Sequence, residues 1–195
     1  AQLELLRLVA TTTAASIQRF NDWPAECDHE SYQRRALAYL CEWSARIFAF
    51  ARSDVCKVTL WRPTDHGTLR VWLSDGLSPE SADLLELPVH PTDPDRDTFA
   101  AMAFRSGRTE VCHDAGTDRR YHILGRAPAY TYASIIAIPI RRGGTTVGVF
   151  TVDSPFKDNF RDADQVQKAE TCASLCGQFW ELPGAVAAST QGARI

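Results

Sequence analysis

The chain has 195 residues, 45% of them hydrophobic and 23% charged, which is enough apolar material for a domain with its own core. A net charge of −3 and a pI near 6.0 leave no concentrated basic face, so no nucleic-acid partner is expected of this domain. No apolar run reaches the ~18 residues of a membrane span, so no membrane partner is expected either.

In chain order, residues 1–20 carry apolar side chains at helical spacing and predict a helix, and residues 21–28, with Pro24, a connector. Leu37, Leu40, Cys41, Ile47 and Phe48 predict a second helix over 31–51. Residues 55–62 and 69–73 alternate and predict a hairpin across a loop containing Pro63, Asp65 and Gly67. A third strand is predicted over 84–89. A short helix follows over 98–106, with Asp97 as its N-cap and Gly107 just past its end. Residues 109–113 predict a strand, and 114–132 an irregular segment with one helical turn near 121–124.

Residues 134–140 are apolar at successive positions, which predicts a strand covered on both faces. Gly143-Gly144 supplies a tight turn into the returning strand 145–152, where Gly148 permits a close approach from another element. Pro139 predicts a local irregularity. Residues 163–182 predict a closing helix with Val166, Ala169, Ala173, Cys176 and Trp180 on one stripe, widened by Leu175 and Phe179. Residues 183–195 read as a flexible tail or linker. Strand pairs joined by tight turns mean an antiparallel sheet, so the fold class is α+β. The long helices at both ends cover one face and the loop at 114–132 falls to the other.

The six cysteines include no CxxC pair, and most lie in apolar periodic segments. That favours reduced, buried thiols and a cytoplasmic setting. No signal peptide is apparent. The sole methionine, Met102, suggests a piece of a longer protein.

AFRSGR at 103–108, DAGTDRRY at 114–121, SIIAIPI at 134–140, VGVFTVDS at 147–154, and Phe160 with Asp164 together resemble the GAF family of ligand-sensing modules. The resemblance runs over roughly residues 30–182. It implies a GAF-like (PAS-related) central antiparallel sheet, with terminal helices on one face and pocket-forming loops on the other. The organisation is then an N-terminal helix and connector at 1–28, the GAF-like domain at 29–182 and a tail at 183–195. Bilin-binding members carry a Cys-His pair where this chain has Tyr121-His122, so covalent bilin attachment is not expected and the cofactor is left unknown. The free methionine sulfoxide reductases need thiols where this chain reads DTFAAM and RRYHILGRAP. Cyclic-nucleotide binders carry an Asn-Lys pair where this chain has Asp153-Ser154. The implied role is therefore a non-catalytic sensory domain of a longer signal-transduction or transcription-regulatory protein, dimerising through its terminal helices. The alternatives are a reductase-like enzyme and a dimerisation module with a filled pocket.

The residues expected to meet a small ligand are Trp61, Trp72, His113, Arg119, Tyr121, His122, Tyr130, Tyr132 and Ser134, with Trp61 and Trp72 as the pocket floor. Asp93, Asp95 and Asp97 alternate as in a calcium loop, but the glycine and the glutamate of that pattern are missing, so no metal is expected. Cys172 and Cys176, one helical turn apart, lack a second ligand pair. His113 and Asp114 are adjacent on a strand and point to opposite faces, which leaves no catalytic dyad.

Overall fold

The glycine pair at 143–144 adopts φ angles of 54° and 86°, and the chain reverses there between two long strands. In the computed structural model the described residues are 29–48, 56–75, 77–93, 97–118, 120 and 132–180. They form α1 (His29–Phe48), β1 (Lys57–Pro63), β2 (Thr68–Asp75), α2 (Pro79–Leu84), β3 (Glu86–Pro88), α3 (Phe99–Ser106), β4 (Glu110–Cys112), β5 (Ser134–Arg142), β6 (Thr145–Ser154) and α4 (Ala163–Trp180). The helix expected at 1–20, the connector, the turn near 121–124 and the tail lie outside the described residues.

The strands make one six-stranded sheet in the order β3-β2-β1-β6-β5-β4, antiparallel throughout. Alternation divides each central strand between two cores. Val58, Leu60, Ile136, Ile138, Phe150 and Val152 face α1 and α4, and pack with Leu37, Leu40, Ala169 and Ala173. Trp61, Ile135, Ala137 and Val149 face the other way, onto Phe99, Ala100 and Ala103 of α3. Strand β5 is thus covered on both sides, as its unbroken apolar run requires.

At Gly148 the end of α4 comes close against the sheet. A Cβ there would stand 2.5 Å from the Trp180 ring and 2.7 Å from the Trp61 carbonyl oxygen. The expected stripe of α4 faces the sheet: Ala169, Ala173 and Cys176 are buried, and Val166, Leu175 and Trp180 pack around them.

Three local expectations change. The short helix is capped by Thr98, whose hydroxyl accepts from Ala101 N at 3.2 Å. Asp97 instead accepts from Thr98 N and from the Arg105 guanidinium. Residues 79–84, of which the sequence pattern assigns only the last, to the start of a strand, form helix α2, started by Ser78 as cap and Pro79 in the first turn. The irregularity in β5 falls between Ile140 and Arg141, one residue beyond Pro139. Gly107 closes α3 in the left-handed conformation, as expected.

Candidate functional site

On the face of the sheet away from α1 and α4, strands β1, β6 and β5 leave a cavity of about 270 Å³ beside α2 and α3. Trp61, Phe99, Tyr132, Ile135, Leu85 and Leu87 supply most of its apolar wall, and Leu77 and Leu84 extend the wall. Leu84 is 84% exposed at the end of α2. The polar wall groups are Thr59, Thr151, Asp153, Thr98 and Ser81.

Strand alternation sets this polar column. Thr59 pairs with Thr151 and Lys57 with Asp153 across β1 and β6, so Thr59, Thr151 and Asp153 share the cavity face with Trp61. The Trp61 indole donates to Thr151 Oγ1 at 3.0 Å, and that hydroxyl lies 3.4 Å from the Thr59 carbonyl. Ser74 Oγ donates to the Val58 carbonyl, which leaves the Thr59 hydroxyl to donate to Ser74 Oγ at 3.2 Å. Asp153 Oδ1 is buried and has no hydrogen-bond partner among the described residues. Burial lifts this carboxyl from its ordinary value near 3.8 to about 7, against the opposing field of Lys57.

A second depression of about 310 Å³ lies on the helix face, between β5 and α4. Although larger, it carries its polar groups, Arg141, Glu170, Ser174 and Gln178, exposed to solvent. Water satisfies such groups without a guest. The cavity beside Trp61 is the better candidate because its carboxylate oxygen is buried and unmatched.

Of the expected ligand residues, Trp61 and Tyr132 line this cavity. Trp72 does not share its floor. Leu60 pairs with Leu73 but Trp61 with Val71, so β2 carries a bulge that turns Trp72 to the helix face. There Trp72 meets Trp180 edge-on, with ring centroids 4.4 Å apart and planes inclined by 67°. His113 is exposed and absent from the wall. Ser134 is buried, but its hydroxyl donates to the Phe156 carbonyl at 2.6 Å, and alternation turns it away from Ile135. Arg119, Tyr121, His122 and Tyr130 lie outside the described residues. The ion pairs that order the described part of this region are Asp114 with Lys157 at 2.8 Å and Asp118 with Arg120 at 2.7 Å. Each holds its carboxyl below the ordinary aspartate value.

The thiols offer little chemistry. Cys41, Cys56, Cys112, Cys172 and Cys176 are all buried thiols outside any disulfide. Burial raises Cys112 and Cys172 each to about 11, and lifts Cys41 and Cys176 well above the ordinary thiol value. Among the described residues no cluster of His, Cys, Asp or Glu has the geometry of a metal site.

The family model for the GAF domain matches residues 30–181. This chain belongs to the GAF family. The cavity thus lies in a GAF domain, on the sheet face opposite its terminal helices. The GAF domain of a phosphoenolpyruvate-protein phosphotransferase from Coxiella burnetii is 15% identical, with a TM-score of 0.68 over 98% of this chain and 98% of that one. A GAF domain from A. aeolicus nlh2, solved in an inactive state, is 17% identical, with a TM-score of 0.63 over 93% of this chain and 98% of that one. A type II free methionine-R-sulfoxide reductase from Thermoplasma acidophilum is 18% identical, with a TM-score of 0.62 over 78% of this chain and 94% of that one. At such identities the likeness is one of fold. No match was found among curated proteins.

Proposed function

We propose that this GAF domain is a non-catalytic sensory module that binds a small ligand in the cavity beside Trp61 and signals through its terminal helices, within a longer signal-transduction or transcription-regulatory protein. The observation that carries the reading is the buried Asp153 oxygen, unmatched among the described residues, in a largely apolar cavity. An unpaired buried polar group costs about 1–3 kcal/mol, which a suitable guest would recover. The cavity and α4 act on opposite faces of the same strands, so a guest that shifts β1 and β6 changes the seat of α4. The response is a shift between two packings of helix on sheet. Pairing of two copies through the terminal helices would carry it onward. Thermal unfolding against nucleotides, amino acids, amines and phenols tests the reading: a ligand at a hundred times its Kd adds about 2.7 kcal/mol of stability. Absence of any stabilising compound would remove its support.

A second reading, a reductase of free methionine sulfoxide, is favoured by the solved reductases with this fold. It needs a thiolate at the site. Among the described residues Cys112 is the thiol on the cavity side of the sheet, and at about 11 its thiol is almost wholly protonated at neutral pH. Incubation with free methionine sulfoxide and a dithiol should give no turnover. Turnover abolished by Cys112→Ser would establish the enzyme instead.

A further inference from the structure

We infer that the cavity selects a compact organic cation, an amine carried on an apolar or aromatic body, with Asp153 as its counter-ion. The inference rests on the reading of the cavity as a ligand site and goes on to name the ligand's chemistry.

Three observations converge on it. Four wall hydroxyls already have partners: Thr151 accepts from Trp61, Thr59 donates to Ser74, Thr98 accepts from the Ala101 amide and Ser81 accepts from Ser78. Among the described residues, Asp153 Oδ1 alone of the wall's buried side-chain oxygens and nitrogens lacks a partner, and a carboxylate oxygen can only accept. Among the described wall residues there is no lysine, arginine or histidine to pair with a carboxylate or phosphate, and the guanidinium of Arg120, 5.5 Å from the centre of the Phe99 ring, is already paired with Asp118. The remaining surface is aliphatic and aromatic, and the rings of Trp61 and Tyr132 suit the face of a flat body or a cation. At about 270 Å³ the space falls just below the ~300–1,000 Å³ of drug-sized sites, which limits the guest to a small metabolite.

The ionisation of Asp153 supplies a sign that separates this guest from a neutral one. The charged or titratable groups coupled to Asp153 are Lys57 from β1, which favours the carboxylate, Tyr132 before β5, kept a neutral phenol by burial, and the Cys56 thiol just before β1, whose ionisation burial and Asp153 both oppose. With the carboxyl titrating at about 7, an alkylammonium guest binds the ionised form and loses affinity as pH falls, approaching tenfold per unit below that point. A neutral carbonyl compound accepting a hydrogen bond from the protonated acid would show the opposite trend.

The test uses the full chain and three probes sharing one body: 2-phenylethylamine, 2-phenylethanol and phenylacetate, titrated calorimetrically at pH 8. The amine should bind tightest, and Asp153→Asn should weaken it by about thirtyfold or more while the variant still unfolds cooperatively. Should that variant fail to fold, the pH dependence of amine binding to the unaltered protein decides the same question. If the alcohol or the acid binds as well as the amine, or Asp153→Asn leaves amine binding unchanged, the ligand class is wrong and the cavity reading stands. If none of the three binds, the amine assignment is overturned, and the wider thermal screen decides the cavity reading separately.

Discussion

At Asp153 the sheet places a carboxyl group where neither neighbouring strand offers Oδ1 a donor. Its pKa in the fold, about 7, lies above the ordinary 3.8, so between those values the folded state holds a proton that the unfolded state has released. The stabilising contribution is therefore present below about pH 4 and disappears as pH rises through about 7. Asp153→Asn keeps the shape and removes the charge. In urea titrations without ligand it should gain about 1–2 kcal/mol over the parent at pH 8, with the gain vanishing towards pH 4. An equal or lower stability at pH 8 would mean that the carboxylate is already satisfied. The residue is legible in the sequence, since VGVFTVDS puts a lone carboxylate in step with Val149 and Thr151 on a strand whose neighbours are apolar. Its signal is lost when that motif is compared only with thiol and Asn-Lys patterns.

At the scale of elements, the hairpin, α1, α3 and α4 are legible because each combines a strong period with a recognisable stop. Helix α2 is not: six residues hold too little periodicity, and the Ser78-Pro79-Glu80 start is the available sign. The bulge in β2 is hidden for a different reason. TLRVWLSD reads as plain alternation, and the slip that sends Trp72 to the helices exists only in pairing with β1. The contact between β6 and α4 gives a sharp test of packing. Gly148→Val would drive its side chain into the Trp180 ring and the Trp61 carbonyl, and because one of those obstacles is backbone, relief is limited. A loss of about 3 kcal/mol is expected, against less than about 0.5 kcal/mol for Thr145→Ala at the exposed turn. Matching denaturant midpoints for the two variants would contradict this packing.

For the molecule as a whole, the layered plan follows from the order of elements: antiparallel hairpins between two long helices leave one sheet face for the helices and one for a cavity. The position of the cavity within that second face is less accessible, because α2 and the pairing of β1 with β6 set it. The meeting of Trp72 with Trp180 has an optical consequence. Two indoles 4.4 Å apart and inclined by 67° share their excited states, so their far-ultraviolet transitions should split into a circular-dichroism couplet of paired, opposite bands. Trp72 belongs to the sheet and Trp180 to the last turn of α4, so the amplitude of that couplet reports how the helix end sits on the sheet. Trp180→Phe should abolish it, and a compound that occupies the cavity and reseats α4 should change it. A couplet unmoved by a saturating ligand would show that the guest is held without any message reaching the helix.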